Sequence, residues 1–137
     1  DRDKEVELEA SRVVQEGSDV TMVAWGAMVT VAEDAADEID ADVEIIDPRT
    51  IYPMDFETIT ESVKKTGRAM ILHEAPKSGG FGGEISSRIQ ENAILNMEAP
   101  VERVAAPDVP YPLYTLEDFY MPNKKRAVKG LERVLEF

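Results

Sequence analysis

Four short apolar runs punctuate this chain, and each is followed by a segment whose apolar residues recur at helical spacing. The runs are Val20-Thr21-Met22-Val23-Ala24-Trp25, Val43-Glu44-Ile45-Ile46, Arg68 to His73 and Val101 to Ala105. Each is too short for a helix of core length and too continuously apolar for a sheet face open to water. This is the signature of a parallel strand buried on both sides. Between them come Met28, Val31, Ala32, Ala35 and Ile39, then Phe56, Ile59 and Val63, then Ile85, Ile89 and Ala93. Val128, Leu131, Val134 and Leu135 close the chain in the same way. Alternation of this kind specifies an α/β fold in three layers, a mostly parallel sheet with helices on both faces.

The punctuation agrees. Gly26 breaks the first strand, and Asp47-Pro48 stops the second. Asp55 is placed to cap the second helix, with Glu57 in its first turn, Lys64-Lys65 in its last and Gly67 beyond it. Asn123 is placed to cap the final helix. Residues 1–17 alternate charged and apolar side chains and read as an extended linker arm with room for one short edge strand; the α/β domain is expected over 18–137. Residues 106–122 hold Pro107, Pro110, Pro112 and Pro122 with Tyr111, Tyr114 and Tyr120. They predict an ordered, extended excursion whose aromatics find burial.

The richest local pattern runs from His73-Glu74-Ala75-Pro76 through Lys77-Ser78-Gly79-Gly80-Phe81-Gly82-Gly83-Glu84. It reads as strand, glycine loop, helix, and its helix start could face an anion. A dinucleotide fingerprint anchored on Gly80 and Gly82 would need glycine where Ile85 stands, and a phosphate loop would need Gly-Lys-Ser/Thr where Gly82-Gly83-Glu84 stands. Glu84 also brings negative charge to the helix start. Close packing against another chain or domain is therefore the favoured role for Gly79, Gly80, Phe81, Gly82 and Gly83. His73 closes its strand where open α/β sheets often place ligands. It reads either as a general acid or base or as hydrogen-bonded scaffolding.

Composition removes several function classes. At 137 residues the chain is one domain by size. It has no cysteine, hence no disulfide or thiolate chemistry, and one histidine, hence no multi-histidine metal site. No apolar run is long enough to span a membrane, and the charged start Asp1-Arg2-Asp3-Lys4-Glu5 is unlike a signal peptide, so a cytoplasmic setting is expected. The absence of an initiating Met suggests a piece of something longer. A net charge of −13 repels nucleic acid and anionic membrane and favours basic partners. Its spread along the chain, as in Glu33, Asp34, Asp37, Glu38, Asp40 and Asp42, also suits a salt-rich cytoplasm. Lys124, Lys125, Arg126 and Lys129 read as a solvated helix face.

An ordered set of motifs goes further: Gly17-Ser18-Asp19-Val20-Thr21, Trp25-Gly26, Ile46-Asp47-Pro48-Arg49-Thr50-Ile51-Tyr52-Pro53, His73-Glu74-Ala75-Pro76, Gly79 to Ile85 and Glu98-Ala99-Pro100. In order and spacing it resembles the C-terminal domain of the β subunit of thiamine-diphosphate-dependent 2-oxoacid dehydrogenases, pyruvate and branched-chain types, within the wider transketolase C-terminal class. The resemblance covers Arg12 to Phe137; Pro48 stands where leucine is more usual. It implies a five-stranded sheet with one antiparallel strand, in an α₂β₂ enzyme that decarboxylates a 2-oxoacid and passes the acyl group to a lipoyl arm.

Thiamine diphosphate and Mg then belong to the intact enzyme, between the α subunit and an N-terminal domain not included here, and none is bound by this domain. The implied partners are that N-terminal domain, the α subunit, a second β subunit and the acyltransferase's small binding domain. On this reading His73 and the loop Gly79–Gly83 lie at a subunit interface, while Glu98, Glu102 and Phe137 receive the basic binding domain. A free-standing α/β module binding a small anion at the glycine loop is the alternative. The motifs do not distinguish one 2-oxoacid from another.

Overall fold

The computed structural model describes residues 8–137. Five strands form one sheet: β1 (Arg12–Gln15), β2 (Val20–Ala24), β3 (Val43–Asp47), β4 (Ala69–Pro76) and β5 (Glu102–Ala106), in the spatial order β1-β3-β2-β4-β5. Only β1 is antiparallel, pairing with β3. The helices are α1 (Met28–Ala36), α2 (Phe56–Thr66), α3 (Gly82–Ala93), a single turn α4 (Glu117–Tyr120) and α5 (Lys124–Leu135). The α/β class and the single antiparallel strand are as expected. Among the described residues no helix is long and apolar enough to cross a membrane.

Strand alternation sends successive residues to opposite faces, and both faces are covered. Met22, Ile45, Met70 and Leu72 point to α1 and α5, where Ala32, Ala35, Ala127, Leu131 and Val134 meet them. Val23, Ile46 and Ile71 point to α2 and α3, against Ile59, Val63, Ile85, Ile89 and Ala93. The chain moves outward from β2 to β3, then returns through α2 to the other side of β2. The carboxyl ends of β2 and β4 thus flank the topological switch point, where open sheets of this kind form a crevice.

Local chemistry sets the element ends. Asp55 Oδ1 accepts from Thr58 N at 3.1 Å, and Asp55 Oδ2 accepts from Ser11 N at 3.0 Å, so one carboxylate caps α2 and ties down the chain before β1. Gly67 ends α2 at φ 70. Asn123 Oδ1 accepts from Arg126 N at 3.0 Å and starts α5. Beneath α2, the side chain of Glu44 is buried. Burial opposes its ionisation, but bonds from Lys65, Ser62 and the Gly17 N–H outweigh that and hold the carboxyl below its ordinary range.

Three expectations change. β4 continues past His73 to Pro76, because Pro76 meets Ala106 beyond a register irregularity and Lys77 N donates to Ala106 O at 3.1 Å. The segment 107–122 does not bury its aromatics: Tyr114 is 88% and Phe119 83% exposed, and Tyr111 also lies open. Only Tyr120 is buried, edge-on to Tyr111 with centroids 5.0 Å apart. A bond from Tyr111 Oη to the Glu117 carboxylate pushes the phenol up to about 12. Finally, Arg126 is no part of a solvated face. It is half-buried and donates to the carbonyl oxygens of Tyr120 and Ala105.

Candidate functional site: the glycine loop over His73

At the switch point the crevice is filled from within. Leu72 of β4 lies beside Ala24 of β2, and the residues that follow, His73 and Trp25, stack at 5.3 Å with their planes 3° apart. His73 has no exposed surface, and neither ring nitrogen has a hydrogen-bond partner. Burial, with Arg103 adding repulsion, pushes the imidazole below its ordinary 6.5, so it is neutral at pH 7. His73 is held by stacking and packing; the hydrogen bonds expected of a scaffold histidine are not formed.

The loop closes over this stack through contacts that leave no room for a side chain. A Cβ on Gly82 would sit 2.4 Å from His73 Nε2, and one on Gly80 would sit 2.3 Å from the Pro76 carbonyl oxygen and 2.7 Å from His73 Cε1. Two of the four glycines therefore approach the protein's own histidine. Gly79 is different: it takes φ 73 and has nothing near its Cβ direction. Gly83 and Phe81 are half-buried, Phe81 packing against the α2–α3 core. An interface at this loop can use Gly79, Phe81 and Gly83 directly, while His73, without exposed surface, acts only by shaping what lies above it.

Outside the loop lies a cavity of about 670 Å³, lined by Tyr52, Pro53, Met54 and Phe56 on one side and by Gly79, Gly80, Phe81, Glu84 and Arg88 on the other. The Arg88 guanidinium stands 3.8 Å over the Phe56 ring. Tyr52 is 87% exposed. Arg49 takes φ 58, donates its N–H to Asp47 Oδ1 at 2.9 Å, and forms no ion pair among the described residues. The described residues bring together no three His, Asp or Glu side chains able to hold a metal ion.

Glu98, Glu102 and Phe137 gather at the opposite end of the sheet, where β5 begins and α5 ends. Both acids already have partners. Arg68 Nη1 lies 2.5 Å from Glu98 Oε2, and Arg133 pairs with Glu102. The Phe137 ring is 76% exposed. Sequence reasoning missed these arginines, since neither partner is near in sequence.

The family model described as transketolase, C-terminal domain, matches residues 9–127. The chain belongs to the transketolase C-terminal domain family. Among curated members, it is 43% identical over 98% of its length to the 2-oxoisovalerate dehydrogenase subunit beta, mitochondrial, of Dictyostelium discoideum. It is 46% identical over 96% to the corresponding subunit of Pseudomonas aeruginosa, and 42% over 96% to the pyruvate dehydrogenase E1 component subunit beta of Bacillus subtilis. This family domain covers 37% of the first two and 42% of the third. A solved split-gene transketolase, described as an inactive beta4 tetramer, superposes with TM-score 0.80 at 27% identity, over 99% of this chain and 44% of that one.

Proposed function

We propose that this chain is the C-terminal assembly and docking domain of the β subunit of a 2-oxoacid dehydrogenase, serving oxidative decarboxylation and acyl transfer to a lipoyl-bearing acyltransferase. The observation that carries this is the alignment of nearly the whole chain, at more than 40% identity, with β subunits of two such enzymes of which it spans about two fifths. The partners are an N-terminal domain of the same subunit, an α subunit, a second β subunit and the acyltransferase's binding domain, in a cytoplasmic enzyme. The exposed Tyr52, Leu113, Tyr114 and Phe119 supply apolar surface for such contacts.

Thiamine diphosphate, which stabilises the carbanion left by decarboxylation, acts with Mg in the intact enzyme. The residues at the switch point and the glycine loop do not fit its diphosphate. The Trp25–His73 stack fills the crevice, Gly80 and Gly82 face the histidine, and Glu84 opens α3 with a negative charge. This supports a supporting role for the domain: it shapes the subunit contacts that assemble the catalytic site.

For docking, Glu98 and Glu102 are already held by Arg68 and Arg133, so a basic partner must compete for them. The Phe137 ring then carries the larger share of binding. The test is the full-length subunit assembled with its α partner. Activity with pyruvate or 3-methyl-2-oxobutanoate, and weaker acyltransferase binding in Phe137→Ala with assembly intact, are expected. An assembled enzyme inactive on every 2-oxoacid offered would refute the assignment. Unchanged affinity in Phe137→Ala would remove only that residue from the dock.

The acidic surface reads as adaptation to a salt-rich interior. Repulsion within a −13 chain weakens as the Debye length falls from about 30 Å at ~0.01 M to about 3 Å at ~1 M salt. The melting temperature should accordingly rise with KCl into the molar range. A flat or falling profile argues against the adaptation.

A further inference from the structure

We propose that the groove along the outer edge of β5, bounded by α5 on one face and by Lys77 and Arg103 on the other, binds a small phosphate-bearing anion. The groove encloses about 340 Å³ and is lined by Lys77, Arg103, Arg126, Lys129 and Arg133. That is five of the chain's 15 lysines and arginines on one wall system, in a protein whose net charge is −13.

Two acids also line it, and only Glu102 has a cationic partner; Asp108 keeps its charge. Glu102 pairs with Arg133, and both Asp108 carboxylate oxygens accept from Ser78, at 2.8 Å from the N–H and 2.6 Å from the hydroxyl. Among the described residues Lys77, Arg103, Arg126 and Lys129 form no ion pair. Arg103 and Arg126 instead donate to neutral main-chain oxygens: Arg103 Nη1 to Lys77 O at 3.0 Å, and Arg126 to Tyr120 O at 3.3 Å and to Ala105 O. Such bonds fix where a guanidinium points without neutralising it. Each guanidinium has five N–H donors, so donors remain for a ligand. With five cations against the carboxylates of Glu102 and Asp108, the concavity is net positive, and a low-dielectric concavity focuses such a field and attracts the opposite sign.

Size and shape select the ligand. The volume lies at the low end of the range for small-molecule sites, roughly 300 to 1,000 Å³. An extended acidic peptide would have to add along the outer edge of β5, and there Arg126 already occupies the Ala105 carbonyl. Arg126, Lys129 and Arg133 fall at intervals of three and four on one helix face, spanning about 10 Å at 1.5 Å per residue. A run of that length offers contacts to more than one anionic group. Fixed guanidiniums beside exposed ammonium groups suit phosphate oxygens.

The test uses inorganic pyrophosphate and the full-length subunit in its assembled form, at about 0.1 M KCl. Titration calorimetry should show saturable binding whose affinity falls as KCl rises. The side chains of Lys77 and Lys129 are exposed and form no hydrogen bond or ion pair among the described residues, and the main-chain bonds of Lys77 survive substitution, so the double variant Lys77→Ala/Lys129→Ala should melt as the parent does. It should nevertheless bind pyrophosphate about tenfold more weakly, a loss of about 1.4 kcal/mol. Arginine at both positions should restore binding. No binding beyond that of chloride at equal ionic strength, or undiminished binding in the double alanine variant, would overturn the proposal.

Discussion

The connection that follows β4 and the one that follows β5 leave the sheet at the same end, but they place their residues in opposite ways. After β4, the chain uses glycines to bring its backbone onto His73, and Phe81 tucks against the α2–α3 core. After β5, the chain holds Val109, Tyr111, Leu113, Tyr114, Leu116 and Phe119 outward, and buries only Tyr120. A glycine pair can be read as close approach because the missing Cβ has a geometric consequence. An aromatic in a loop carries no comparable instruction about which molecule covers it. Its own core is one answer, and another chain is a second.

The comparison breaks most sharply at Gly82. Gly82→Val drives a branched side chain into His73 Nε2, where a single Cβ would already lie at 2.4 Å. A loss of about 3 kcal/mol in unfolding free energy is expected, the upper range for overpacking a core. Denaturant melts of the isolated chain measure it. A loss seen only in the assembled enzyme would show that the loop packs on a partner instead.

A smaller effect should appear with pH. The unfolded imidazole titrates near 6.5 and the folded one lower, so the unfolded state binds more protons as pH falls. Stability should therefore decline below about pH 6.5 and level off once the pH passes the folded value. Glu44 and Asp55, both held low, withdraw their contributions only below their ordinary 4.5 and 3.8, which separates the windows. His73→Phe, which can still stack on Trp25, should flatten the slope between roughly pH 6.5 and 5. An unchanged slope would mean that another group titrates there.

Gly79 sharpens the contrast within the loop itself. Its Cβ direction is open, so Gly79→Ala should cost only the left-handed backbone penalty, about 1 kcal/mol. A cost equal to that of Gly82→Val would contradict the geometry. The smallest change in folding is expected after β5. Leu113→Ser, Tyr114→Ser and Phe119→Ser should each alter the stability of the isolated chain by no more than about 0.5 kcal/mol. Sedimentation of the assembled enzyme should show weaker association in the same variants. A large loss in the isolated chain would mean that these side chains are packed in solution.

Much of the fold was legible without coordinates because its determinants are local. The caps at Asp55 and Asn123, the stop at Gly67 and the helical stripes through Ile59–Val63, Ile85–Ile89 and Leu131–Val134 each depend on residues a few positions apart. The site was legible only in part. The glycine pattern pointed to close packing against another chain or domain, whereas Gly80 and Gly82 meet the chain's own His73, brought there by the return of α3 over the sheet. Trp25 and His73 are far apart in sequence and adjacent only because β2 and β4 are neighbours.

By itself, then, the sequence determined the alternation of strands and helices, the helix ends at Asp55, Gly67 and Asn123, the net negative charge and the family. Tertiary structure alone decided the order β1-β3-β2-β4-β5, the burial of the one histidine and the outward face of 109–119. It also decided the pairing of Glu98 with Arg68 and of Glu102 with Arg133, and the gathering of Lys77, Arg103 and Arg126 around one groove. The division has a physical cause. Capping and periodicity are energies of neighbouring residues, whereas strand order, burial and charge pairing depend on which distant segments the whole chain brings into contact.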